Sequence, residues 1–231
     1  WNKAADEMID SRWYKQVTNR AQRLVDRMRK VWYSVSMYKI YDDCISKEIA
    51  DNIEKTLLGM KYKWNYINHT VHEEVPDPQM SHLLYAYNPI VNSVSGKSFK
   101  SDFFYLIKDF FSEIEKNTDI GLQDKILYRV KSTIMFPNAE KQKLESEIHL
   151  DFDDNKLKRT NLLYYVNDSD GDTILYEDDK KTVLTRVSPK KGKLLLFSGD
   201  IPHCSSSPTK SLKRVVININ VSDEWKSLII N

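Results

Sequence analysis

The sequence is poor in cysteine and has no long apolar run. Its 231 residues include two cysteines, Cys44 and Cys204, so a disulfide framework is excluded and a reducing, cytoplasmic location is expected. No stretch approaches the roughly 18 uninterrupted apolar residues that indicate a transmembrane helix. Secretory signals, internal repeats and low-complexity tracts are not visible either. The chain begins with Trp1 rather than Met, so we leave the true N-terminus open.

Positive charge is concentrated at one end of a chain whose formal net charge is only +2. Residues 1–40 contain nine Lys or Arg against four Asp or Glu. Apolar residues recur there at three- and four-residue spacings, which predicts a basic amphipathic helix over residues 8–35. We expect this helix to bind a protein partner or a second copy of the chain, with a membrane surface or nucleic acid as the alternative. Nucleic acid is disfavoured because no aromatic-rich basic groove is evident elsewhere.

The next part of the chain, up to about residue 116, predicts mainly helices. A helix over residues 45–58 has Ser46 as its N-cap and Gly59 as its stop signal. Alternation predicts a strand over residues 61–67. A broad aromatic stripe predicts a helix over residues 97–116 that covers one outer face of a sheet.

Three histidines in this part do not form a metal-binding pattern. His69 and His72 are three residues apart, but no carboxylate or cysteine flanks them in a suitable pattern, so we interpret them as loop residues. His82 precedes an apolar run and is interpreted as a structural histidine.

The last hundred residues predict strands. A long strand over residues 126–136 is ended by Pro137, and polar turns separate the later segments. Helices early and short strands late favour an α+β fold whose core, at about residues 126–222, is a double-stranded β-helix, that is, a jelly-roll or cupin-like barrel flanked by N-terminal helices. The barrel belongs to a domain over residues 41–231, and its mouth is a natural ligand site. The shorter strands are predicted at residues 161–166, 172–176, 182–187, 193–197 and 215–221.

One motif in this region favours metal chemistry. His149 and Asp151 are separated by one residue on an extended segment, so their side chains point to the same side. His203 follows 52 positions after Asp151 and completes a set of two imidazoles and one carboxylate. Such a set leaves three positions of an octahedral ferrous ion open. The alternative to a metal site is that His149 and Asp151 form a surface pair and that His203 is an unrelated histidine beside a turn.

These residues resemble the 2-oxoglutarate and Fe(II)-dependent dioxygenases, in the prolyl-hydroxylase-like branch that is common in bacteria and phages. The resemblance implies His149, Asp151 and His203 as both the metal ligands and the catalytic centre. It implies Arg214 as the anchor of the distal carboxylate of 2-oxoglutarate, with Tyr165 contacting the same group.

Other residues near this site leave alternatives open. Lys213 competes with Arg214, since alternation lets only one of the two point inward. Asn218 and Asn220 are polar residues in an otherwise apolar strand, so we expect either of them to face the cofactor or bound water, and we assign Asn218 to cofactor binding. Phe136 stands where the branch tends to carry a tyrosine, which removes one hydrogen bond to 2-oxoglutarate. Cys204 adjoins a ligand and is interpreted as a small buried filler.

The resemblance implies an Fe(II)- and 2-oxoglutarate-dependent dioxygenase that hydroxylates a peptide, an amino acid or a small metabolite. The cosubstrate 2-oxoglutarate would be decarboxylated to succinate, with ascorbate as an optional reductant. Substrate would enter past Trp64, Tyr66 and a charged lid at residues 137–147, a segment equally consistent with a plain solvated loop. The alternative is a structural or assembly protein, for example phage-associated and carried in a virion, that keeps the fold and docks through its N-terminal helix. A nucleic acid demethylase is a weaker third hypothesis.

Overall fold

The computed structural model describes residues 22, 25, 37–68, 77–87, 98–122, 125–137, 145–151 and 159–222. The chain splits into two compact units, which are Trp1–Lys39 and Ile40–Asn231. The predicted basic helix at residues 8–35 lies almost wholly outside the described residues, so its binding role stays a prediction. Among the described residues, no helix is long and apolar enough to cross a membrane.

In its described residues, the second unit consists mainly of antiparallel strands with two helices beside them. Within the described ranges the helices are α1 (Lys47–Leu57) and α2 (Leu106–Asn117). The strands are β1 (Tyr38–Tyr41), β2 (Asn65–Ile67), β3 (Gln79–Ala86), β4 (Phe99–Lys100), β5 (Ile126–Met135), β6 (Arg159–Tyr165), β7 (Thr173–Tyr176), β8 (Val183–Val187), β9 (Leu194–Ser198), β10 (His203–Ser205) and β11 (Arg214–Ser222).

The strands of the described residues form two sheets. The larger has the order β1-β9-β6-β11-β5-β3-β2, with β4 paired to β3, and the smaller has the order β10-β7-β8. Residues 145–149 extend the smaller sheet, because bridges join Glu145 to Ser206 and His149 to His203. From β5 onwards the chain passes back and forth between the sheets, which is the topology of a double-stranded β-helix. The predicted fold class is therefore confirmed.

Strand β11 shows how the larger sheet divides the core from the cavity. Its odd-numbered residues Val215, Ile217 and Ile219 are fully buried in the core cluster that also contains Ile53 of α1 and Phe110 of α2. Because side chains alternate along a strand, its even-numbered residues face the opposite side and line a cavity between the sheets. Those residues are Arg214, Val216 and Asn218.

Most of the predicted elements are confirmed with small boundary shifts. Helix α1 lies within the predicted residues 45–58, and the Ser46 side chain caps it by accepting from the amide of Ile49. The strands predicted from residue 126 onwards all occur within two residues of their expected limits. Their sequences have strong β-forming residues between clear turn signals, which explains this accuracy.

The predicted start of the helix over residues 97–116 is wrong. Phe99 and Lys100 form β4 instead, paired with Ala86 and Tyr85 of β3. A turn follows, in which the Ser101 hydroxyl and carbonyl accept from the amides of Phe103 and Phe104, respectively. Strand pairing outweighs the aromatic stripe here, and α2 begins only at Leu106.

The strand predicted over residues 61–67 is too long, and some strands were not predicted. The amide of Tyr62 donates to Gly59 in a turn, so the strand begins at Asn65. Strand β3 has no simple alternation because its register shifts between Leu83 and Tyr85. The short strands β1, β4 and β10 were also missed. They depend on partners distant in sequence, which local patterns do not reveal.

Candidate metal and cosubstrate site

The two histidines and the aspartate of the predicted triad come together in the cavity between the sheets. His149 and His203 form a backbone bridge in which each amide donates to the other carbonyl, at 2.9 and 3.0 Å. This bridge places their imidazole rings side by side, with centroids 4.6 Å apart. Asp151 follows two residues after His149. One ligand atom from each of the three residues lies within 4.8 Å of the others.

Each histidine is oriented by a hydrogen bond from its Nδ1. For His149 the acceptor is the carbonyl oxygen of Glu147 at 2.9 Å, and for His203 it is that of Ile201 at 3.0 Å. A carbonyl oxygen only accepts, so each neutral ring carries its proton on Nδ1 and keeps a lone pair on Nε2. A metal-binding histidine is usually oriented in this way by a partner behind the ring.

Three side chains hold the carboxylate of Asp151. Arg129 donates from Nη2 to Oδ1 at 2.7 Å, and Asn220 donates from Nδ2 to Oδ2 at 3.1 Å. The Nδ2 of Asn218 lies 3.3 and 3.2 Å from the two carboxylate oxygens. Contacts of this kind fix the orientation of a ligating carboxylate.

The electrostatics of Asp151 and His203 favour the protonation states that a divalent cation requires of these two residues. Burial alone would raise the pKa of Asp151, but His203, Arg129 and the Asn218 hydrogen bond together hold that pKa well below its usual value. Burial lowers the pKa of His203, against the opposing charge of Asp151. An ionised carboxylate and two neutral imidazoles suit Fe(II) by donor type and number.

Arg214 also lines this cavity, at the first residue of β11, and it is 3% exposed. Its Nε donates to the carbonyl of Gly171 and its Nη2 to the hydroxyl of Thr173, both at 2.8 Å. No carboxylate of the described residues forms an ion pair with this guanidinium. Burying a cation without a counter-ion is costly. The geometry therefore favours an anionic ligand at Arg214.

Gly171 allows this arrangement because its backbone approaches its neighbours closely. A Cβ at this position would lie 2.6 Å from the carbonyl oxygen of Ser206 and 3.0 Å from Cδ of Arg214. Any larger residue would therefore push the 171 carbonyl away from the guanidinium.

Thr173 was not predicted and lies beside Arg214. Its hydroxyl oxygen accepts from Arg214 and also from the hydroxyl of Tyr165, both at 2.8 Å. Burial raises the pKa of Tyr165 to about 12, against the nearby charge of Arg214, so the phenol stays protonated and donates. With two donors already accepted, Thr173 has its own proton to give to a ligand. Tyr165 itself is fully buried behind Thr173.

The structure places the remaining predicted residues as follows. Asn218 lines the cavity but uses its amide on Asp151. Lys213 directly precedes the inward-facing Arg214, so alternation directs its side chain away from the cavity. Phe136 is 49% exposed, and Cys204 is a buried residue of the lining, 3.6 Å from the Tyr176 hydroxyl.

Two further predictions concern more distant residues. The indole of Trp64 donates to the carbonyl of Leu57 on α1, and Tyr66 is exposed. His82 is satisfied at both ring nitrogens by Lys63 and Ser101, as a structural histidine should be. His69, His72 and most of the lid at residues 137–147 lie outside the described residues.

Strand β5 contributes two cations that sequence reasoning did not assign to the site. Arg129 contacts Asp151, and Lys131 lines the cavity together with Thr133 and Met135. The available signal was the alternation of this strand, because its two charged residues, Arg129 and Lys131, share one parity.

The comparisons with known proteins agree with this geometry. Residues 133–222 match the family model of the 2OG-Fe(II) oxygenase superfamily. That range contains the triad, Thr173 and Arg214. No curated protein matches the chain significantly.

Several solved structures share the fold. One is an oxidoreductase of the 2OG-Fe(II) oxygenase family from Burkholderia pseudomallei, 11% identical with a TM-score of 0.57, covering 84% of this chain and 91% of its own. A prolyl hydroxylase from Trichoplax adhaerens, solved with a hypoxia inducible factor oxygen degradation domain peptide fragment, is 15% identical with a TM-score of 0.55, covering 97% and 99%. A prolyl-4-hydroxylase from Pseudomonas putida is 11% identical with a TM-score of 0.52, covering 81% and 92%.

Proposed function

We propose that this chain, whose residues 133–222 match the family model of the 2OG-Fe(II) oxygenase superfamily, is an active dioxygenase of that superfamily that hydroxylates a peptide, an amino acid or another small metabolite. Fe(II) and 2-oxoglutarate are the cofactors of this superfamily. One observation carries the proposal: His149, Asp151 and His203 share one cavity with Arg214, a buried cation that has no described counter-ion.

In this proposal the triad holds the iron. The two histidines offer Nε2, and Asp151 offers a carboxylate oxygen that Arg129, Asn218 and Asn220 keep in place. Three protein ligands would leave three of the six positions of an octahedral ion for exchangeable ligands, whereas four would leave only two.

The guanidinium of Arg214 and the hydroxyl of Thr173 hold the distal carboxylate of 2-oxoglutarate. Arg214 supplies charge and a planar fork of donors, of which Nε and Nη2 are already bonded within the protein. Fixing the guanidinium in this way reduces the freedom lost when the ligand binds. Tyr165 supports the site through Thr173.

Bound iron and 2-oxoglutarate would activate dioxygen, which is the oxidant: one oxygen atom would enter the succinate formed from 2-oxoglutarate with loss of carbon dioxide, and the other would be inserted into a substrate C–H bond. The protein's own residues bind and orient these groups and exclude water from the deep part of the cavity. Ascorbate as a reductant stays a prediction.

The proposal is tested by anaerobic titration of the protein with Fe(II) and 2-oxoglutarate. We expect the weak visible charge-transfer band of the chelate in the wild type and its loss in His149→Ala. His82→Ala is the matched control: the His82 ring bonds to Lys63 and Ser101, none of these three residues lines the cavity, and the change should leave the band as in the wild type. Succinate formation in air then measures turnover, with proline and proline-containing peptides as first substrates. Folded wild-type protein without the band would contradict the proposal.

The alternative of a structural or assembly protein depends on residues 1–40, which lie almost wholly outside the described residues. No feature of the described part favours it over the dioxygenase. Binding of a partner or a second copy through residues 8–35 remains compatible with either function and stays a prediction.

A further inference from the structure

One cation that lines the cavity, Lys131, has no hydrogen-bond or ion-pair partner for its ammonium group among the described residues. Lys131 lines the cavity with Asp151 and Asn218. Across the described part of the chain, no hydrogen bond or ion pair reaches its ammonium group. Arg129, which lies on the same face of β5 as Lys131, bonds to Asp151 and Asn220. The third cation, Arg214, bonds to Gly171 and Thr173. Lys131 is therefore a positive charge available to a ligand.

The strand register places Lys131 at the level of the metal ligands. It is paired with Asn218, whose amide contacts Asp151, whereas Arg214 is paired with Met135. Asn218 lies four positions after Arg214 along β11, so their Cα atoms are about 13 Å apart in an extended strand. A cosubstrate bound at Arg214 would reach the triad with its chelating end, and Lys131 would stand beside that end.

The cavity opens towards Lys131. On the inward face of β5, Met135 is 3% exposed and Thr133 is 6% exposed, whereas Lys131 and Arg129 are only partly buried. A substrate approaching the triad from the open side would therefore pass the ammonium group of Lys131.

The charge balance of the site favours an anionic substrate. Arg129 and Asp151 neutralise one another, which leaves the positive charges of Lys131 and Arg214. The two charges of Fe(II) cancel those of the 2-oxoglutarate dianion, so the loaded site keeps a net positive charge. A cleft with one sign of charge and low-dielectric walls attracts ligands of the opposite sign.

We propose that Lys131 binds a carboxylate of the primary substrate, and that this substrate is a small molecule with a free carboxylate, such as a free amino acid. The inference rests on the proposed function and narrows its substrate class. The uncharged backbone of an internal peptide segment would leave the ammonium group without a partner. A carboxylate would give it a charge-assisted hydrogen bond beside the iron.

The energetics of the free protein support this role. Burial lowers the pKa of Lys131 to about 8, with help from the charge of Arg129 and against that of Asp151. The charged ammonium is thus destabilised in the free protein, and a bound carboxylate would relieve that cost. Functional groups are often kept at such a cost to stability.

The test compares wild type, Lys131→Met and the exposed control Lys61→Met. The probes are the common L-amino acids and their primary amides, in which an uncharged carboxamide of similar size replaces the carboxylate. Binding is measured without turnover, as the shift in melting temperature of the anaerobic protein loaded with Fe(II) and 2-oxoglutarate. Stimulation of succinate formation in air is the second measurement.

We expect at least one free amino acid to stabilise the loaded wild-type protein and to stimulate succinate formation, while its amide does neither. Lys131→Met should raise the apparent dissociation constant of that amino acid about ten- to a hundredfold, the range for losing a charged hydrogen-bond partner. Lys61→Met should behave as wild type. The free Lys131→Met protein should also melt at a higher temperature than the free wild type.

Four outcomes would overturn the inference. They are equal binding of acid and amide, unchanged binding in Lys131→Met, no amino acid binding at all, and a lower melting temperature of free Lys131→Met, which would assign Lys131 to packing. A loss of 2-oxoglutarate affinity in Lys131→Met comparable to the loss expected for the substrate would assign it to the cosubstrate instead. Failure of the proposed function itself is distinguished by the missing charge-transfer band in wild type.

Discussion

Arg214 and Lys131 lie on neighbouring strands, face the same cavity and are held in opposite ways. Arg214 is 3% exposed, and its guanidinium bonds to Gly171 and Thr173. Lys131 is nearer the opening and has no described partner. A fixed cation suits a ligand that is the same in every turnover, such as the cosubstrate. A cation without a partner suits a ligand whose binding must supply the missing interaction.

Removing the fixed cation should have the largest effect. Arg214→Met should raise the KM for 2-oxoglutarate by about a hundredfold or more, because the loss of a buried charged partner costs about 3–5 kcal/mol. Succinate formation at increasing 2-oxoglutarate concentration measures this. Lys213→Met, the neighbouring change of opposite parity, should leave the KM close to wild type. Similar KM values for the two variants would contradict the role of Arg214.

Removing the ion-pair partner of Asp151, the proposed metal ligand, should have the next largest effect. Arg129→Met should weaken Fe(II) binding about ten- to a hundredfold, because Asp151 loses its ion pair. Anaerobic Fe(II) titration measures this. Arg186→Met is the control, since Arg186 pairs with Glu145 at the surface. Equal iron affinities in the two variants would show that Arg129 does not support the metal site.

Removing the unpaired cation should stabilise the free protein. Lys131→Met should raise the free energy of unfolding by about 1–3 kcal/mol at neutral pH, because burial lowers the pKa of Lys131 to about 8 from its ordinary value of 10.5. Between these two pKa values the unfolded state binds the extra proton, so wild-type stability rises with pH relative to the variant.

The advantage of Lys131→Met should therefore be full below about pH 8 and shrink towards pH 10.5. Arg129 and Asp151 are the described charged groups that act on Lys131. Urea denaturation at several pH values measures the difference. A constant or reversed difference would contradict the unpaired charge.

Removing the hydroxyl of Thr173 should raise the KM for 2-oxoglutarate less than removing the charge of Arg214. Thr173→Val should raise the KM for 2-oxoglutarate about five- to tenfold, the cost of one neutral hydrogen bond. Thr173→Ser keeps the hydroxyl and should restore most of the affinity. If valine were tolerated as well as serine, Thr173 would not contact the cosubstrate.

The smallest effect concerns Tyr165, for which the family resemblance and the structure differ in detail. The resemblance implies direct contact with the distal carboxylate, whereas the Tyr165 hydroxyl bonds to Thr173. Tyr165→Phe should therefore change the KM for 2-oxoglutarate less than about threefold, because only an indirect interaction is lost. An increase as large as that of Thr173→Val would favour direct contact.

The sequence predicted the part of the site that is carried by short motifs on well-formed strands. His149 and Asp151 share a side of one segment, and the parity of β11 separates Arg214 from Lys213. The later strands were predicted closely because their turns carry strong local signals.

The remaining features depend on tertiary context. Thr173 is an ordinary strand residue until the fold brings Arg214 and Tyr165 to its hydroxyl. Lys131 resembles a solvated strand residue until the register pairs it with Asn218 beside the triad. The aromatic stripe from Phe99 predicted a helix, but pairing with β3 took its first residues. Contacts between distant parts of the chain decide all three.

The central claim is that Arg214 serves the cosubstrate and Lys131 the substrate. The direct measurement is anaerobic titration of Fe(II)-loaded wild type, Arg214→Met and Lys131→Met with 2-oxoglutarate, followed by the visible charge-transfer band. We predict that the band is lost in Arg214→Met at concentrations that saturate the wild type, and that Lys131→Met binds within about threefold of wild type. Equal losses in the two variants, or a larger loss in Lys131→Met, would contradict the division of roles.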